Sequence, residues 1–329
     1  MLRMMATAAL TALLSIASAE AQTLRFGHAN SPGEIAHDLF AELAKRVGER
    51  TNGEVTIRVF SSEQLGKEAD LLQQVKSGAL DMSAPSMPVT SSLVPGIEMA
   101  SAPFLWKDWK EAETVIRGPA FDPIFAELKE KHSIVPLTRI WYWGWRNFTF
   151  ADREVTKPEH MVGLKVRVPE SPVFVEMVRA FGAAPTPIPF GEVYTALQQH
   201  TVDGQENPIP TIYSRKFYEV QGVLTLSRHM LQNNMIVINT NSLARLSEEH
   251  QKILTEEAQA LSLINTEQQQ GREQSMLEDI RKSGRTKIIE PDREAFQAAA
   301  TKAQDALQGR WGPENLARLR QEIAKVRGS

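Results

Sequence analysis

Polar and apolar residues alternate over 23–29 (TLRFGHA), the period-two pattern of a strand. Residues 35–50 then place Ile35, Leu39, Phe40, Leu43 and Val47 at helical spacing. Asn52-Gly53 turns the chain into a second expected strand at 55–60. A helix over 68–76 stops at Gly78, and a short strand follows near 80–83. Strand and helix alternating in this way predict an open, largely parallel α/β sheet.

The same order returns further on. Val166 and Val168 mark a strand, 173–181 a helix, 184–188 a proline-punctuated extended segment, 192–199 a helix and 202–204 a final extended stretch. Lys76-Ser77-Gly78-Ala79-Leu80-Asp81 and Gln198-Gln199-His200-Thr201-Val202-Asp203 share one scheme: helix end, turn, apolar residue, aspartate. Residues 247–282 are rich in Glu, Gln, Ala and Leu with few breakers, so they form one long helix or two with a bend near Gly271. A last strand is expected at 285–289, with helices at 293–307 and 313–326.

The chain has 329 residues, a length that favours two lobes over a single core. The opening residues carry Arg3, an apolar run at 6–17 and small residues offering cleavage after Ala19 or Ala21, the layout of a bacterial secretory signal. The expected mature protein therefore begins near Gln22 in the periplasm. It has no cysteine, hence no disulfide and no attachment point for a lipid anchor. A net charge of −3 argues against a nucleic-acid or polybasic membrane role. No G-x-S-x-G, H-E-x-x-H, Walker or G-x-G-x-x-G motif is present, and the seven histidines lack metal-ligand spacing, so neither a catalytic site nor a metal or cofactor is expected.

Open α/β sheets bind ligands at the carboxyl ends of their strands. Here those ends are 28–30, 61–64, 83–86, 169–171 and 205–207, all rich in small and hydrogen-bonding residues suited to a polyhydroxylated ligand. In Leu164–Val168 the apolar positions share one face, while Lys165 and Arg167 share the other. An arginine there could grip a carboxylate with two parallel hydrogen bonds, but periodicity alone does not separate Arg167 from Lys165. Trp141-Tyr142-Trp143-Gly144-Trp145 precedes Arg146; most of these rings fit a core, with Trp143 or Trp145 the candidates for a cleft wall. Asn147-Phe148-Thr149 has the form of a glycosylation sequon and is read as chance.

From Gly163 to Pro208 the chain is more specific. GLKVRVPESPVF and PTPIPFGEVYTALQQHTVDGQENP resemble the solute-binding subunits of TRAP (tripartite ATP-independent periplasmic) transporters, the family that includes C4-dicarboxylate binders. TLRFGHANSPG and FSSEQLGKEADLLQQVKSGALDM extend the resemblance over the mature chain. It implies a two-lobed periplasmic binding protein fold of α/β class, with cross-connected strands and a long helix spanning both lobes. The expected division is a signal peptide at 1–21, lobe I at 22–145 with 235–272 returning to it, lobe II at 146–234 with 273–310 returning to it, and a C-terminal helix at 311–329.

The resemblance also implies that Arg167 salt-bridges the ligand carboxylate, and that Asn207 helps hold both. It makes Arg146 a second cation and Phe190 an aromatic against the ligand, with His28, Asn30, Glu34, Gln64, Glu68 and Asn234 as weaker candidates for hydroxyl contacts. His200 stands where many relatives have glycine, and a changed helix cap is the expected consequence. The heavy aromatic cluster, with Trp143 at the cleft, favours a sugar acid (uronate or aldonate) over a C4-dicarboxylate or other organic acid. A monomer is expected, delivering ligand to membrane permease subunits; a receptor-coupled sensor or a periplasmic sugar-acid enzyme are the competing functions.

Overall fold

The structure, a computed structural model, describes residues 21–328. Apart from Ala21, the expected signal peptide lies outside the described residues. Among the described residues eleven strands form two sheets. They are β1 (Gln22–Gly27), β2 (Val55–Phe60), β3 (Met82–Ser83), β4 (Ile134–Pro136), β5 (Trp141–Phe150), β6 (Lys165–Val168), β7 (Ala184–Pro187), β8 (Gly204–Pro208), β9 (Val223–Asn234), β10 (Val237–Asn239) and β11 (Lys287–Ile289).

The first sheet runs β2-β1-β3-β10-β4 and the second β11-β9-β5-β8-β6-β7. Within them, β2-β1-β3-β10 and β7-β6-β8-β5 follow one plan: three parallel strands joined by helices, then an antiparallel neighbour. The sequence echo has a physical counterpart. Asp81 accepts a hydrogen bond from the Arg25 amide at 2.8 Å, and Asp203 accepts one from the Lys165 amide at 2.7 Å. Each aspartate thus pins the entry of the following strand to its neighbour. The corresponding residues ahead of them are both left-handed, Gly78 at φ +79° and His200 at φ +54°, so His200 takes the turn that glycine takes at Gly78. Pro185 and Pro187 lie on β7, an edge strand where a missing amide donor costs no ladder bond.

The chain crosses between the sheets from β4 to β5, from β9 to β10, and along the single helix Glu248–Lys282, which runs through Gly271 without a break. That helix packs on the first-sheet helix Ile35–Arg50 and on the second-sheet helix Ile209–Ser214. Ser262 and Asn265 on it also donate to the Ile140 and Tyr142 carbonyls at 2.7 Å each. The boundary expected after residue 145 falls inside β5, a continuous strand of the second sheet. The last helix, Pro313–Gly328, packs on Trp109–Arg117 beside the first sheet. Among the described residues no helix is long and apolar enough to cross a membrane.

The tryptophan-rich stretch does not alternate simply, because β5 carries an irregularity against β9. Tyr142 faces Asn233 and Gly144 faces Gln232, so Trp143 is an extra residue in the ladder. Such a bulge re-aims a side chain. Trp141 packs in the core against Phe40, Tyr142 meets Trp109, and Trp143 is released towards the space between the sheets. Gly144 closes the bulge at φ +128°, and a Cβ there would stand 2.9 Å from Cβ of Pro208. Gly144→Ala should therefore cost about 1–3 kcal/mol of stability. Urea unfolding checks this, and a midpoint equal to that of the wild type would count against the bulge as the reason for the glycine.

Candidate ligand-binding cleft

The carboxyl ends of the parallel strands meet between the sheets and enclose a cleft of about 740 Å³, counting space continuous with solvent. Four of the five expected strand ends contribute: Ala29 and Asn30, Ala84 and Ser86, Pro169 and Glu170, and Asn207. The 61–64 loop does not line it. Among the expected contacts, Asn30, Glu68, Trp143, Arg146, Arg167, Phe190, Asn207 and Asn234 all border this one space.

Arg167 separates from Lys165 by position along β6. Lys165 begins the strand and is exposed; Arg167 lies at the carboxyl end and is only 2 % exposed. Its Nε and Nη2 both donate to the Ile188 carbonyl, at 2.9 and 2.7 Å, which fixes the plane of the guanidinium. No carboxylate among the described residues lies within the 4.0 Å of an ion pair to it. Burial, reinforced by the neighbouring charge of Arg146, pulls its pKa down to about 10, so it remains a cation at neutral pH. A buried cation without a paired anion is costly, and the strand end holds it beside an open space.

Arg146 differs. Its Nε and Nη2 engage both carboxylate oxygens of Glu206, the latter at 2.6 Å, and Nη2 also meets the Glu206 carbonyl. Phe174 covers the guanidinium at 4.8 Å. Glu206 Oε2 lies 3.2 Å from His229 Nε2, and His229 Nδ1 lies 2.8 Å from the Ser227 hydroxyl. Burial acts to raise the Glu206 pKa, but Arg146 and the His229 hydrogen bond outweigh it and hold the carboxyl below its usual range. An ionised carboxylate only accepts, so Nε2 carries the proton of His229, whose pKa burial lowers. Arg146 is thus an internally neutralised donor.

Glu68 opens the helix Glu68–Ser77 and accepts from the Ser86 amide at 2.6 Å. Burial raises its pKa, against the pull of that hydrogen bond and of Arg167. Gln232 Nε2 donates to Asn234 at 3.2 Å, while the buried Gln232 Oε1 has no hydrogen-bond partner. Glu68 and Gln232 thus offer acceptor oxygens where a ligand hydroxyl can donate. Phe190 lies in a short turn with the Arg215 guanidinium 4.5 Å over its ring.

Several expectations need correction. Gln64 is exposed on its turn, outside the cleft. Glu34 is occupied by Asn30 Nδ2 at 2.8 Å, the Ser31 amide at 2.9 Å and Arg215 at 2.8 Å, and borders only an adjoining cavity. Asn207 lines the cleft, but its Nδ2 donates to Gln205 at 2.6 Å and not towards Arg167, whose partner is Ile188. Trp145 is half-buried on the core and does not reach the cleft. Asn147 of the sequon is buried, with both ends of its amide hydrogen-bonded to Trp145 and Arg228 backbone. His28 turns inward among Phe26, Phe40 and His37.

Sequence reasoning missed Gln232, Phe174 and the Glu206–His229 pair. Glu206 lies within the quoted QENP stretch, yet nothing in a wholly polar strand marks which residue supports the arginine. No cluster of His, Cys, Asp or Glu among the described residues could hold a metal ion.

The profile of the bacterial extracellular solute-binding protein family 7 matches residues 26–309. The chain belongs to that family, whose members include TRAP solute-binding subunits. The 2,3-diketo-L-gulonate-binding periplasmic protein of Escherichia coli K12 is 32% identical over 288 residues, covering 88% of this chain and 87% of the relative. A TRAP periplasmic solute-binding protein of Xanthobacter autotrophicus Py2, solved with β-D-galacturonate, superposes with a TM-score of 0.85 at 28% identity, covering 92% of this chain and 99% of that one. Its counterpart from Roseobacter denitrificans, solved with L-galactonate, gives 0.82 at 30% identity over 87% and 95% of the two chains. The expected two-lobed α/β fold is thereby established.

His28 yields a pH prediction for this TRAP-family protein. Its Nδ1 accepts from the Asn30 amide at 3.1 Å, and burial, aided by His37, lowers its pKa to about 3 from 6.5. Between those values the unfolded chain binds a proton that the folded ring refuses, so stability falls as pH drops below 6.5. The slope approaches about 1.4 kcal/mol per pH unit from this residue. Urea unfolding between pH 6.5 and 5 should show a shallower slope for His28→Asn; an unchanged slope would refute the assignment.

Proposed function

We propose that this protein is the periplasmic binding subunit of a TRAP transporter and captures a hydroxylated monocarboxylate, a uronate or aldonate, for delivery to its membrane permease. The observation that carries this reading is Arg167: a buried, oriented guanidinium with no ion-pair partner, on the wall of a polar cleft. A ligand carboxylate supplies the missing anion. Asn30, Glu68, Asn207, Gln232 and Asn234 then meet hydroxyl groups, while Trp143 and Phe190 offer ring faces to the apolar side of a sugar. The sugar acids bound by the two solved relatives support the same class.

Charge count favours one carboxylate over two. Arg146 is already neutralised by Glu206, and Lys67 is held by Glu63 at 3.1 Å and Glu192 at 3.0 Å. A second carboxylate would find no unpaired cation at the cleft wall and would face Glu68. A C4-dicarboxylate is the poorer fit.

Capture proceeds by movement of the two sheets as lobes about the three crossings. Lys67–Glu192 and Arg215–Glu34 join the two lobes, and closure excludes water and strengthens the Arg167–carboxylate pair. We infer a monomeric subunit, exported by the N-terminal signal, that releases its ligand chemically unchanged.

Calorimetry with galacturonate and gluconate tests the anchor. Arg167→Ala should lose about 3–5 kcal/mol, because the bound carboxylate is left desolvated and unpaired. That is a loss of roughly 10²–10³-fold or more in affinity. Near-wild-type affinity in a folded Arg167→Ala protein would overturn the reading. In the wild type, succinate and malate should bind at least about tenfold more weakly than the sugar acids, and mass spectrometry should recover the bound acid intact.

A further inference from the structure

A second pocket, of about 370 Å³ counting space continuous with solvent, adjoins the cleft. The residues common to both spaces are Asn30 and Trp143, so a ligand passing from one to the other must pass them. Trp143 is only 7 % exposed, and its indole N–H is tied to the Thr211 hydroxyl at 3.0 Å, which holds the ring as a partition. Beyond it the walls are the start of the helix Ile35–Arg50, the helix Ile209–Ser214 and the long helix, which contributes Gln269 and Arg272. Gln269 is 5 % exposed and its Oε1 has no hydrogen-bond partner. A buried amide oxygen left unpaired costs free energy that a hydroxyl donor would recover.

We propose that the space behind Trp143 is a latent sugar subsite, and that Trp143 is the specificity residue limiting the ligand to a single sugar unit. The chemical class it would admit, once opened, is an acid extended by a neutral glycosyl unit: the carboxylate stays on Arg167 while the added ring passes the partition and donates hydroxyls to Gln269. This rests on the cleft being the sugar-acid site. The second space is lined by polar groups, shares Asn30 and Trp143 with the cleft, and is divided from it on the Trp143 side by a ring whose orientation depends on the bulge at Gly144. Those three features distinguish a gated extension from an ordinary packing defect, which would be apolar and sealed.

The test is calorimetry with gluconate and lactobionate, a gluconate bearing a galactosyl ring and the same single carboxylate. If the wild type takes uronates in preference, galacturonate and an aldobiouronic acid form the corresponding pair. The wild type should bind the short acid and bind the extended one at least about 100-fold more weakly. Trp143→Ala should bind the short acid about tenfold more weakly, having lost the ring face, and the extended acid within about tenfold of the short one. Adding Gln269→Leu to Trp143→Ala should remove most of the gain for the extended acid while leaving short-acid binding as in Trp143→Ala. Trp143→Phe, which keeps an aromatic ring in the core, should show a partial gain and serves if the alanine variant does not fold. Undiminished discrimination in the folded variants, or equal binding of both acids by the wild type, would overturn the subsite. Failure of the wild type to bind any short sugar acid would instead overturn the reading of the cleft itself.

Discussion

The structure turns on a buried guanidinium left without a paired anion. Transferring Arg167 out of water costs several kcal/mol, and an isolated domain would ordinarily cancel that with a carboxylate of its own. It does so for Arg146, which Glu206 neutralises, with His229 and Ser227 behind it. Arg167 instead receives a backbone carbonyl, which orients the charge without neutralising it. Two arginines in one cleft are therefore different devices: one is a net charge awaiting a partner, the other a fixed donor of no net charge. A site made this way pairs one anionic group and meets the remainder of its ligand with hydrogen-bonding groups.

The scaffold explains how that expense is supported. Parallel strands send their carboxyl ends to a common edge, so short loops from both sheets face one space. Each half reaches that arrangement by the same local means, a left-handed turn followed by an aspartate that catches a neighbouring strand amide at Asp81 or Asp203. The two sheets are then held in register by the crossings at 136–141 and 234–237 and by a helix hydrogen-bonded to the first residues around β5. The strand that follows the first crossing also carries Trp143 and Arg146, so the connection between the sheets leads directly into the site.

Much of this was legible because period and position sufficed. The alternation at 23–29, the helical spacing over 35–50 and the breaker-poor run at 247–282 each require only local physics. Arg167 emerged from a strand-end argument together with the resemblance from Gly163 to Pro208; its exposure against that of Lys165 follows from where β6 ends. The misses have a common cause in tertiary choice. Asn30 and His28 stand two residues apart at one strand end, yet one lines the cleft and the other packs under Phe40, a matter of which way the turn rotates. Glu34 is polar and close, but Arg215, far along the chain, claims it. Gln232 lies on a long strand opposite a bulge whose register no local pattern reveals. Glu206 is a carboxylate in a buried polar strand, where hydrophobic periodicity carries no information.

On the proposed reading Arg167, and not Arg146, receives the ligand's anionic group. A crystal structure of the complex with galacturonate or gluconate tests it most directly. Both carboxylate oxygens should lie within hydrogen-bond reach of the Arg167 guanidinium, with the Arg146–Glu206 pair intact beside it. A carboxylate seated on Arg146 with Glu206 displaced, or one lying away from both arginines, would contradict it.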